Sequence, residues 1–527
     1  KTWEDESELE DVEIEIVKDR EIVLPKASRN FDKVPPTTFP NASDELEYFY
    51  NTINFPLPLL DIRMRPLRVR GSSLEKTYGN YVRGGLGNFS TTYLEGYFNS
   101  KRNEQYSYGA HINWFNQNRG PVEGKDSGSG IFELDLFGKY FTPKITFSAD
   151  GGFDRQQVKF YGITDPVESI EKQIYQSIYL SGRMENTSPT DQIQYDAGVR
   201  FNFLTDDLDG RETELEADLH ASSTITEGFT LYVDSDLALI GRKGQEFDNT
   251  SRTLFRVKPM VGFEYEGFRI RAGVNAVYEN DTLSGFNKFH LYPSARASYT
   301  FSDKIDLYAG VTGDIQKNTL RTISQQNAFI APDEPIYHSN MTINFFGGIK
   351  GKLTPELGFE AGINVANYKN LYFFLNDTTN QETFNILYDE GNTAVVNLHG
   401  SLGYAKADEW SVHFRGDYWG YGTSDIGEAW HRPNYKVSAT AFYNLFDKVR
   451  LNAEAYATGG IKSYDFTDME VVDLDAAFDL NFMGEYIFSK QVSAFVQLNN
   501  IFAKEYELYY RYPVRGFQFM IGASYSF

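Results

Sequence analysis

The 527-residue sequence has no cysteine, no run of about eighteen apolar residues and no excess of basic residues. Without cysteine there are no disulfides, no thiol catalysis, no iron–sulfur cluster and no lipid attached to an N-terminal cysteine. Without a long apolar run there is no membrane-spanning helix. The net charge of −23 argues against a nucleic-acid partner, because binding phosphates requires a basic face.

Aromatic residues are abundant instead. The sequence contains 36 Tyr and 42 Phe, yet its mean hydropathy is −0.45. A soluble protein with this composition would need a very large core, whereas a membrane β-barrel places aromatics in two interfacial girdles and keeps a polar interior. The composition therefore favours a barrel. The chain begins at Lys1 without a hydrophobic leader. This is expected for a mature chain whose signal peptide has been removed, and a truncated chain would look the same.

Alternation of apolar and polar residues predicts strands with two different faces. Residues 516–527 place Phe517, Phe519, Ile521, Ala523, Tyr525 and Phe527 on one face and small or polar residues on the other. The same pattern recurs over 193–203, 305–315 and 449–458, and in the second of these it predicts an outward-facing Ile315. Charges and glycines share the polar face, which suits a water-filled or hydrogen-bonded barrel interior better than a protein core.

The connections between these segments alternate in length. Short turns are predicted at 101–103, 142–144, 226–228, 266–267, 302–304, 354–356, 406–409, 446–448 and 489–491. Longer, polar loops are predicted near 118–130, 160–171, 205–211, 242–249, 319–337, 374–391, 421–432 and 462–470. Short periplasmic turns that alternate with long extracellular loops are typical of outer-membrane barrels. The pattern predicts an all-β, transmembrane antiparallel β-barrel of about 22 strands, with 20 and 24 as alternatives and both chain ends in the periplasm.

Residues 1–75 differ from the rest. This segment is acidic over 3–16 and proline-rich over 34–40. It is too short for an independent plug domain with its own core, so we expect an extended N-terminal leader, periplasmic or inside the barrel, and assign the barrel to 76–527. Val12, Ile14 and Ile16 alternate with charged residues and are candidates for a strand that pairs with a partner protein.

Several stretches resemble a known family. IVKDREIVLPKA (16–27), PLRVRGSSLEKTYGNYVRGGLGNFSTTYLEGYFNS (66–100), YSYGAHINWF (106–115) and the aromatic terminus resemble the plugless branch of the TonB-dependent-receptor-like outer-membrane barrels of the Bacteroidota. The resemblance implies that Phe519, Tyr525 and Phe527 form the C-terminal signal read by the barrel-assembly machinery. Transporters of the family import nutrients with force from the inner membrane, which requires a plug and a partner-binding box. Neither is visible here, so the resemblance does not by itself imply energised import.

Two groups of residues are candidate binding sites. Arg63, Arg65, Arg68 and Arg70 suit an anionic solute or a lipid headgroup, or they neutralise acidic residues of the barrel interior.

Asp207, Asp209, Gly210 and Glu216 have the spacing of calcium-loop positions 3, 5, 6 and 12, but Thr205 stands at position 1 and a strand follows. An ordinary acidic loop is therefore favoured there. The seven histidines lack metal-ligand spacing and no G-x-S-x-G motif occurs, so we expect no metal, no cofactor and no enzymatic activity.

The functional expectation follows from the size of the barrel. An open barrel of about 22 strands would breach the permeability barrier of the outer membrane, so something must fill it. A partner protein is one such filling, and we favour a non-enzymatic component of an outer-membrane protein complex that docks partner proteins. The alternative is an outer-membrane transporter, receptor or channel for a solute. The expected partners are outer-membrane lipid and lipopolysaccharide, the barrel-assembly machinery during insertion, and proteins of the outer membrane or periplasm.

Overall fold

The computed structural model describes residues 78–122, 124–162, 171–188, 190–245, 249–281, 288–407 and 409–527. The predictions made for the leader fall outside the described residues: the candidate partner strand at Val12, Ile14 and Ile16, and the candidate anion contacts Arg63, Arg65, Arg68 and Arg70. Among the described residues, no helix has the length and apolar character needed to span a membrane.

The prediction of a 22-stranded antiparallel β-barrel is confirmed, because a single sheet of 22 strands closes on itself where its first strand pairs with its last. The barrel strands are β1 (Tyr81–Gly87), β2 (Thr91–Asn99), β3 (Tyr106–Gln117), β4 (Ser129–Phe141), β5 (Ile145–Lys159), β6 (Lys172–Asn186), β7 (Ile193–Asp206), β8 (Arg211–Thr226), β9 (Phe229–Lys243), β10 (Thr250–Tyr265), β11 (Phe268–Glu279), β12 (Phe289–Ser302), β13 (Ile305–Gln316), β14 (Ser339–Lys352), β15 (Leu357–Lys369), β18 (Thr393–Lys406), β19 (Trp410–Gly422), β20 (Tyr435–Leu445), β21 (Val449–Gly459), β24 (Ala477–Ile487), β25 (Val492–Asn499) and β28 (Gln518–Ser526). The described parts of the loops contain three small hairpins, formed by β16 (Leu371–Asn376) with β17 (Phe384–Asp389), β22 (Lys462–Asp465) with β23 (Glu470–Asp473), and β26 (Glu507–Tyr509) with β27 (Tyr512–Pro513). The described residues contain one α-helix, α1 (Leu320–Gln326).

The last strand shows why these residues form a barrel wall. In β28, Phe519, Ile521 and Tyr525 are exposed on the outer face, while Met520 and Ser524 are buried on the other. Since side chains alternate between the faces of a strand, an apolar outer face and a smaller, polar inner face follow directly from the sequence. Phe527 continues this outer face and hydrogen-bonds through its backbone to Asn80, which joins the start of the first barrel strand to the end of the last.

The predicted outward orientation of Ile315 is wrong. The register between β13 and β14 shifts between Thr312 and Asp314, where β14 contains one extra residue relative to β13. A bulge of this kind disrupts the ladder and the regular alternation of the paired strands at this point. Beyond it, Ile315 is only 1% exposed and packs with the buried side chains of Leu254 and Tyr292.

The predicted sorting of the connections is confirmed. All nine predicted short turns join strands at one end of the barrel, and a tenth short turn lies there at 187–192. The start of β1 and the end of β28 lie at the same end. The long loops lie at the opposite end. The sequence did not predict the tight turn between β1 and β2, where Phe89 and Ser90 have positive φ, or the hairpin that joins β26 to β27.

The inner face of the wall is polar, and many of its charges are paired. Arg183 contacts Asp196 at 2.5 Å and Asp218 at 3.0 Å. Asp314 of β13 accepts a hydrogen bond from Lys258 of β10 at 2.8 Å and lies 3.0 Å from Arg256 of the same strand. Charges that leave bulk water need partners of opposite sign, and these cross-strand pairs provide them.

Candidate functional site: the loop cap

Six of the long loops pack together over the mouth of the barrel. The loop cap consists of the described parts of residues 160–162, 317–338, 370–392, 423–434, 460–476 and 500–517. The predicted polar loop near 374–391 is wrong at its start, because the last half of β16 lies there and all six residues of β16 are buried. A strand that is buried on both faces needs apolar side chains on both, and the run LYFF provides them.

Three aromatic rings meet at the centre of the cap. Tyr161 follows β5, Phe329 follows β13, and Tyr512 lies between β25 and β28. β5, β13 and β25 are the fifth, thirteenth and twenty-first strands of the ring, so the three loops leave the wall at well-separated points around it. The ring centroids of Phe329 and Tyr512 are 3.8 Å apart, those of Tyr161 and Tyr512 are 4.8 Å apart, and those of Tyr161 and Phe329 are 6.0 Å apart. The loops therefore bridge the mouth.

Hydrophobic burial and hydrogen bonds hold this centre together. The surrounding core is formed by apolar side chains from three loops and the adjoining wall: Val158, Phe160, Tyr175, Leu204, Leu320, Ile323, Ala328, Ile330, Ile336, Tyr372, Phe374, Phe384 and Ile386. The Tyr512 hydroxyl donates to the carbonyl of Glu382, and the Tyr509 hydroxyl donates to the carbonyl of Gln326 at 2.6 Å. Each fully buried aromatic or aliphatic side chain contributes about 1.5–3 kcal/mol, so the cap is a stable element and not a set of independent loops.

Helix α1 attaches the cap to the wall. Thr319 caps its N-terminus, and its free backbone amides at Leu320 and Arg321 donate to the Glu212 carboxylate of β8 at 2.8 and 3.1 Å. Unpaired amides and the helix dipole both favour a carboxylate at this position. The geometry fixes the start of the 317–338 loop against the inner wall.

An ion-pair network reinforces this attachment. The Lys317 ammonium donates to Glu214 and to Glu216 at 2.6 Å each, and the Arg321 guanidinium donates to Glu214 at 3.3 Å. Glu214 is only 1% exposed, so its charge depends on these two cations. We call Glu212, Glu214, Glu216, Lys317 and Arg321 the wall clamp.

His431 is buried and links three loops by hydrogen bonds. Its Nδ1 donates to the carbonyl of Phe374 at 2.7 Å, and its Nε2 accepts the backbone N–H of Tyr510 at 3.2 Å. The ring is therefore neutral, with its proton on Nδ1. Burial lowers the pKa of His431 to about 4, because a second proton would place a charge in the apolar cap and remove the acceptor for Tyr510.

The pKa values of two carboxyl groups in the cap are shifted in opposite directions. Glu334 accepts the backbone N–H of Ile386 at 2.7 Å, and burial raises its pKa to about 7. Asp465 accepts the hydroxyl of Tyr510 at 2.5 Å and the backbone N–H of Thr467 at 2.7 Å, and these hydrogen bonds, the former above all, lower its pKa to about 2. The cap thus contains groups whose charge changes near neutral and acidic pH.

The predicted calcium spacing does not form a site. The backbone amides of Leu208 and Gly210 donate to Asp206 in a tight turn, Asp207 lies 3.8 Å from the Lys172 ammonium, and Glu216 belongs to the wall clamp. Among the described residues, no group of three or more histidine or acidic side chains is arranged to hold a metal ion.

The predicted C-terminal signal residues lie together on the outer surface at the short-turn end. The rings of Tyr525 and Phe527 stack at 5.6 Å, and Phe519 is exposed farther along the same face. The cap was missed because most of its segments were predicted as polar loops and residues 500–517 were not predicted as a loop. The runs LYFF in β16 and ELYYRYP over 507–513 were the available signals, since aromatic clusters in loops need an apolar partner.

These features define a 22-stranded barrel of the outer-membrane type whose mouth is bridged by its own loops. No protein-family model and no curated protein matches the chain. Solved structures do. The FrpB iron transporter of Neisseria meningitidis (F3-3 variant) matches with a TM-score of 0.69 and 11% identity, over 86% of this chain and 82% of that chain. The siderophore receptor PirA of Acinetobacter baumannii matches with a TM-score of 0.65 and 12% identity, over 85% and 80%.

A further match is a mutant of the ferric enterobactin receptor PfeA of Pseudomonas aeruginosa in complex with enterobactin, with a TM-score of 0.64 and 14% identity, over 85% of this chain and 81% of that chain. At these identities the likeness establishes the fold. It agrees with the resemblance to TonB-dependent receptors, while the plugless state and the origin in the Bacteroidota stay predictions.

Proposed function

We propose that the protein is an outer-membrane transporter or receptor for a polar solute, and that the loop cap controls the entrance to its barrel. This is the alternative named from the sequence, and the comparisons support it better than the scaffold role that we favoured there. The matched structures are described as iron transporters and siderophore receptors. The role proposed is non-enzymatic.

The observation that carries the proposal is the meeting of Tyr161, Phe329 and Tyr512 over a polar inner wall. A scaffold has no need of an entrance, whereas a solute pathway needs a polar lining and a closure that can open. The paired charges of the lining, such as Asp314 with Lys258, suit the passage of polar groups. In this proposal the cap and long loops face the cell exterior, and the short turns and both chain ends face the periplasm.

The test is single-channel conductance in planar bilayers. We compare the wild type, a deletion of residues 1–56, the double variant Phe329→Ala/Tyr512→Ala, and the double variant combined with the deletion. Phe263→Ala is the matched control, because Phe263 is an exposed aromatic residue of the outer barrel face, far from the cap. We expect the wild type to be nearly silent and the double variant to conduct more than its parent with or without the leader.

Two results would contradict the proposal. Free conductance of the wild type would mean that the cap does not close the entrance. Equal conductance of the double variant and its parent in both backgrounds would mean that the cap does not control a pathway, and would return the scaffold role to first place.

A further inference from the structure

An unusual row of polar side chains runs across five neighbouring strands on the outer face of the barrel. Strand pairing places Lys243 opposite Arg211, Arg211 opposite Thr205, Thr205 opposite Gln176, and Gln176 opposite Arg155. Directly opposite residues in an antiparallel sheet point to the same face. We call these five residues the rim row.

The rim row faces outward, toward the membrane. On the same face, Ile178 lies two residues after Gln176 in β6, Leu215 lies four residues after Arg211 in β8, and Leu239 lies four residues before Lys243 in β9. All three are exposed apolar side chains. The opposite face of β8 carries Glu212 and Glu214, which point into the barrel. Arg211 begins β8 and Lys243 ends β9, so the row lies where the apolar outer belt gives way to the long-loop end.

The positive charges of the rim row favour binding of an anion from outside the protein. Lys243 and Arg211 are both exposed and stand directly opposite each other, and like charges in this arrangement are destabilising. Neither cation forms an ion pair with another residue in the part of the chain that the structure describes, although the protein has 73 acidic residues. Among the described residues, Arg155 donates only to the neutral Gln157 side chain, at 2.9 Å. This surface therefore places three positive charges at the membrane boundary without neutralising them.

The arrangement also fits a headgroup with more than one kind of polar group. Arg155 is three strands away from Arg211, which corresponds to roughly 14 Å at about 4.8 Å per strand. Between them, Thr205 and Gln176 offer a hydroxyl and an amide, the groups that hydrogen-bond sugar hydroxyls. Guanidinium and ammonium groups bind phosphate oxygens with charge-assisted hydrogen bonds.

We propose that the rim row binds the phosphorylated sugar headgroup of lipopolysaccharide in the outer leaflet, with Lys243 and Arg211 on phosphate and with Thr205 and Gln176 on sugar hydroxyls. The inference rests on the orientation proposed above, in which the long-loop end faces the cell exterior. It does not depend on transport. The barrel can fail every conductance test and still bind the lipid.

The test is the affinity of the purified, full-length protein in detergent for lipopolysaccharide. The variants are Arg211→Ser, Lys243→Ser and the double variant. Lys101→Ser/Arg102→Ser is the matched control, because it removes two exposed cations at the opposite end of the barrel. Heat-modifiable migration on gels verifies that each variant is folded. Additional probes are chemically dephosphorylated lipopolysaccharide, inorganic phosphate and phosphatidylglycerol vesicles.

We expect each single variant to weaken binding about tenfold and the double variant about a hundredfold, as for the loss of one and two charge-assisted hydrogen bonds. The control should bind as the wild type does, and dephosphorylated lipopolysaccharide should bind as weakly as the double variant. Unchanged affinity of the double variant, or equal loss in the control, would overturn the proposal. Equally tight binding of inorganic phosphate would indicate a free-anion site, and equal binding of phosphatidylglycerol would indicate a general anionic surface. Either result would refute a lipopolysaccharide site.

Discussion

Phe329 and Tyr512 stack with their ring centroids 3.8 Å apart, although they belong to loops that leave the barrel wall at different sides of its mouth. This contact turns separate loops into one cap. Because both side chains are almost fully buried, the cap has a core of its own, and its opening can be measured separately from unfolding of the barrel.

Replacing Phe329 with alanine should loosen the cap and leave the barrel intact. Loss of a buried aromatic side chain costs about 3–5 kcal/mol in a core that cannot collapse. The reporter is hydrogen exchange of the Phe384 amide, which donates to the carbonyl of Phe329 at 2.9 Å. We expect its protection to fall by about a hundredfold or more. Phe263→Ala should leave this amide unchanged, and equal effects of the two variants would refute a distinct cap core.

Replacing Glu214 with glutamine should release α1 from the wall. The change leaves Lys317 and Arg321 facing a neutral group, and breaking one partner of a buried ion pair costs about 3 kcal/mol or more. Exchange of the Leu320 amide reports the docking, because this amide donates to Glu212. A double-mutant cycle with Lys317→Gln should show coupling between the two residues. Strictly additive effects would mean that the pair does not hold the cap, and the exposed Glu264→Gln serves as a control.

Acid should open the cap through His431. The pKa of this residue is about 4 in the folded cap against an ordinary value of 6.5, so an open cap binds the proton more readily. Stability from this residue is complete above pH 6.5 and is lost as the pH falls toward 4, by up to about 3 kcal/mol. Exchange of the Tyr510 amide, which donates to His431, measures the loss. His431→Gln should show a flatter pH profile between 4 and 6.5, and an unchanged profile would refute the assignment.

The contribution of Glu334 to the stability of the cap should change with pH in the opposite direction to that of His431. Its pKa of about 7 lies above the ordinary value of 4.5, so the folded cap favours the protonated carboxyl. The stability that Glu334 contributes is complete below pH 4.5 and is lost as the pH rises through 7. Glu334→Gln keeps an acceptor for the Ile386 amide without the charge, so that amide should be better protected at pH 8 in the variant. The exposed Asp468→Asn is the control, and less protection in Glu334→Gln would contradict the prediction.

The terminal phenylalanine should matter for assembly more than for stability. Phe527→Ala keeps the backbone hydrogen bonds to Asn80 and removes an exposed ring. We expect slower insertion by the barrel-assembly machinery in reconstituted vesicles and normal spontaneous folding in detergent. Phe517→Ala, beyond the other end of the last strand, is the control. Equal insertion rates for Phe527→Ala and the wild type would refute the signal assigned to Phe519, Tyr525 and Phe527.

Much of the barrel could be predicted from local patterns. Alternation along β28 correctly places Ile521 outside and Ser524 inside, because every second side chain of a strand shares a face. The nine short turns follow from runs such as FDK at 446–448 that interrupt this alternation. The prediction failed at Ile315, where a bulge in the neighbouring strand β14 disrupts the ladder and the sequence of β13 carries no signal of it.

The candidate site could not be predicted in the same way. Its contacts join residues that are distant in sequence, such as Tyr161 with Tyr512 and Glu214 with Lys317, and no periodicity connects them. The rim row is similar, since Arg211 and Lys243 become neighbours only through the register of β8 and β9. A one-residue change of that register would point one of them into the barrel.

The sequence by itself thus determined that the chain forms a membrane β-barrel with a polar interior, because strand alternation is local and the solvent on each face selects the residues. The choice of 22 strands over 20 or 24, the face of Ile315 and the packing of loops into a cap were decided only by the tertiary structure. The physical reason is that these features depend on hydrogen-bond register and on burial against residues far along the chain, and both exist only after the barrel has closed.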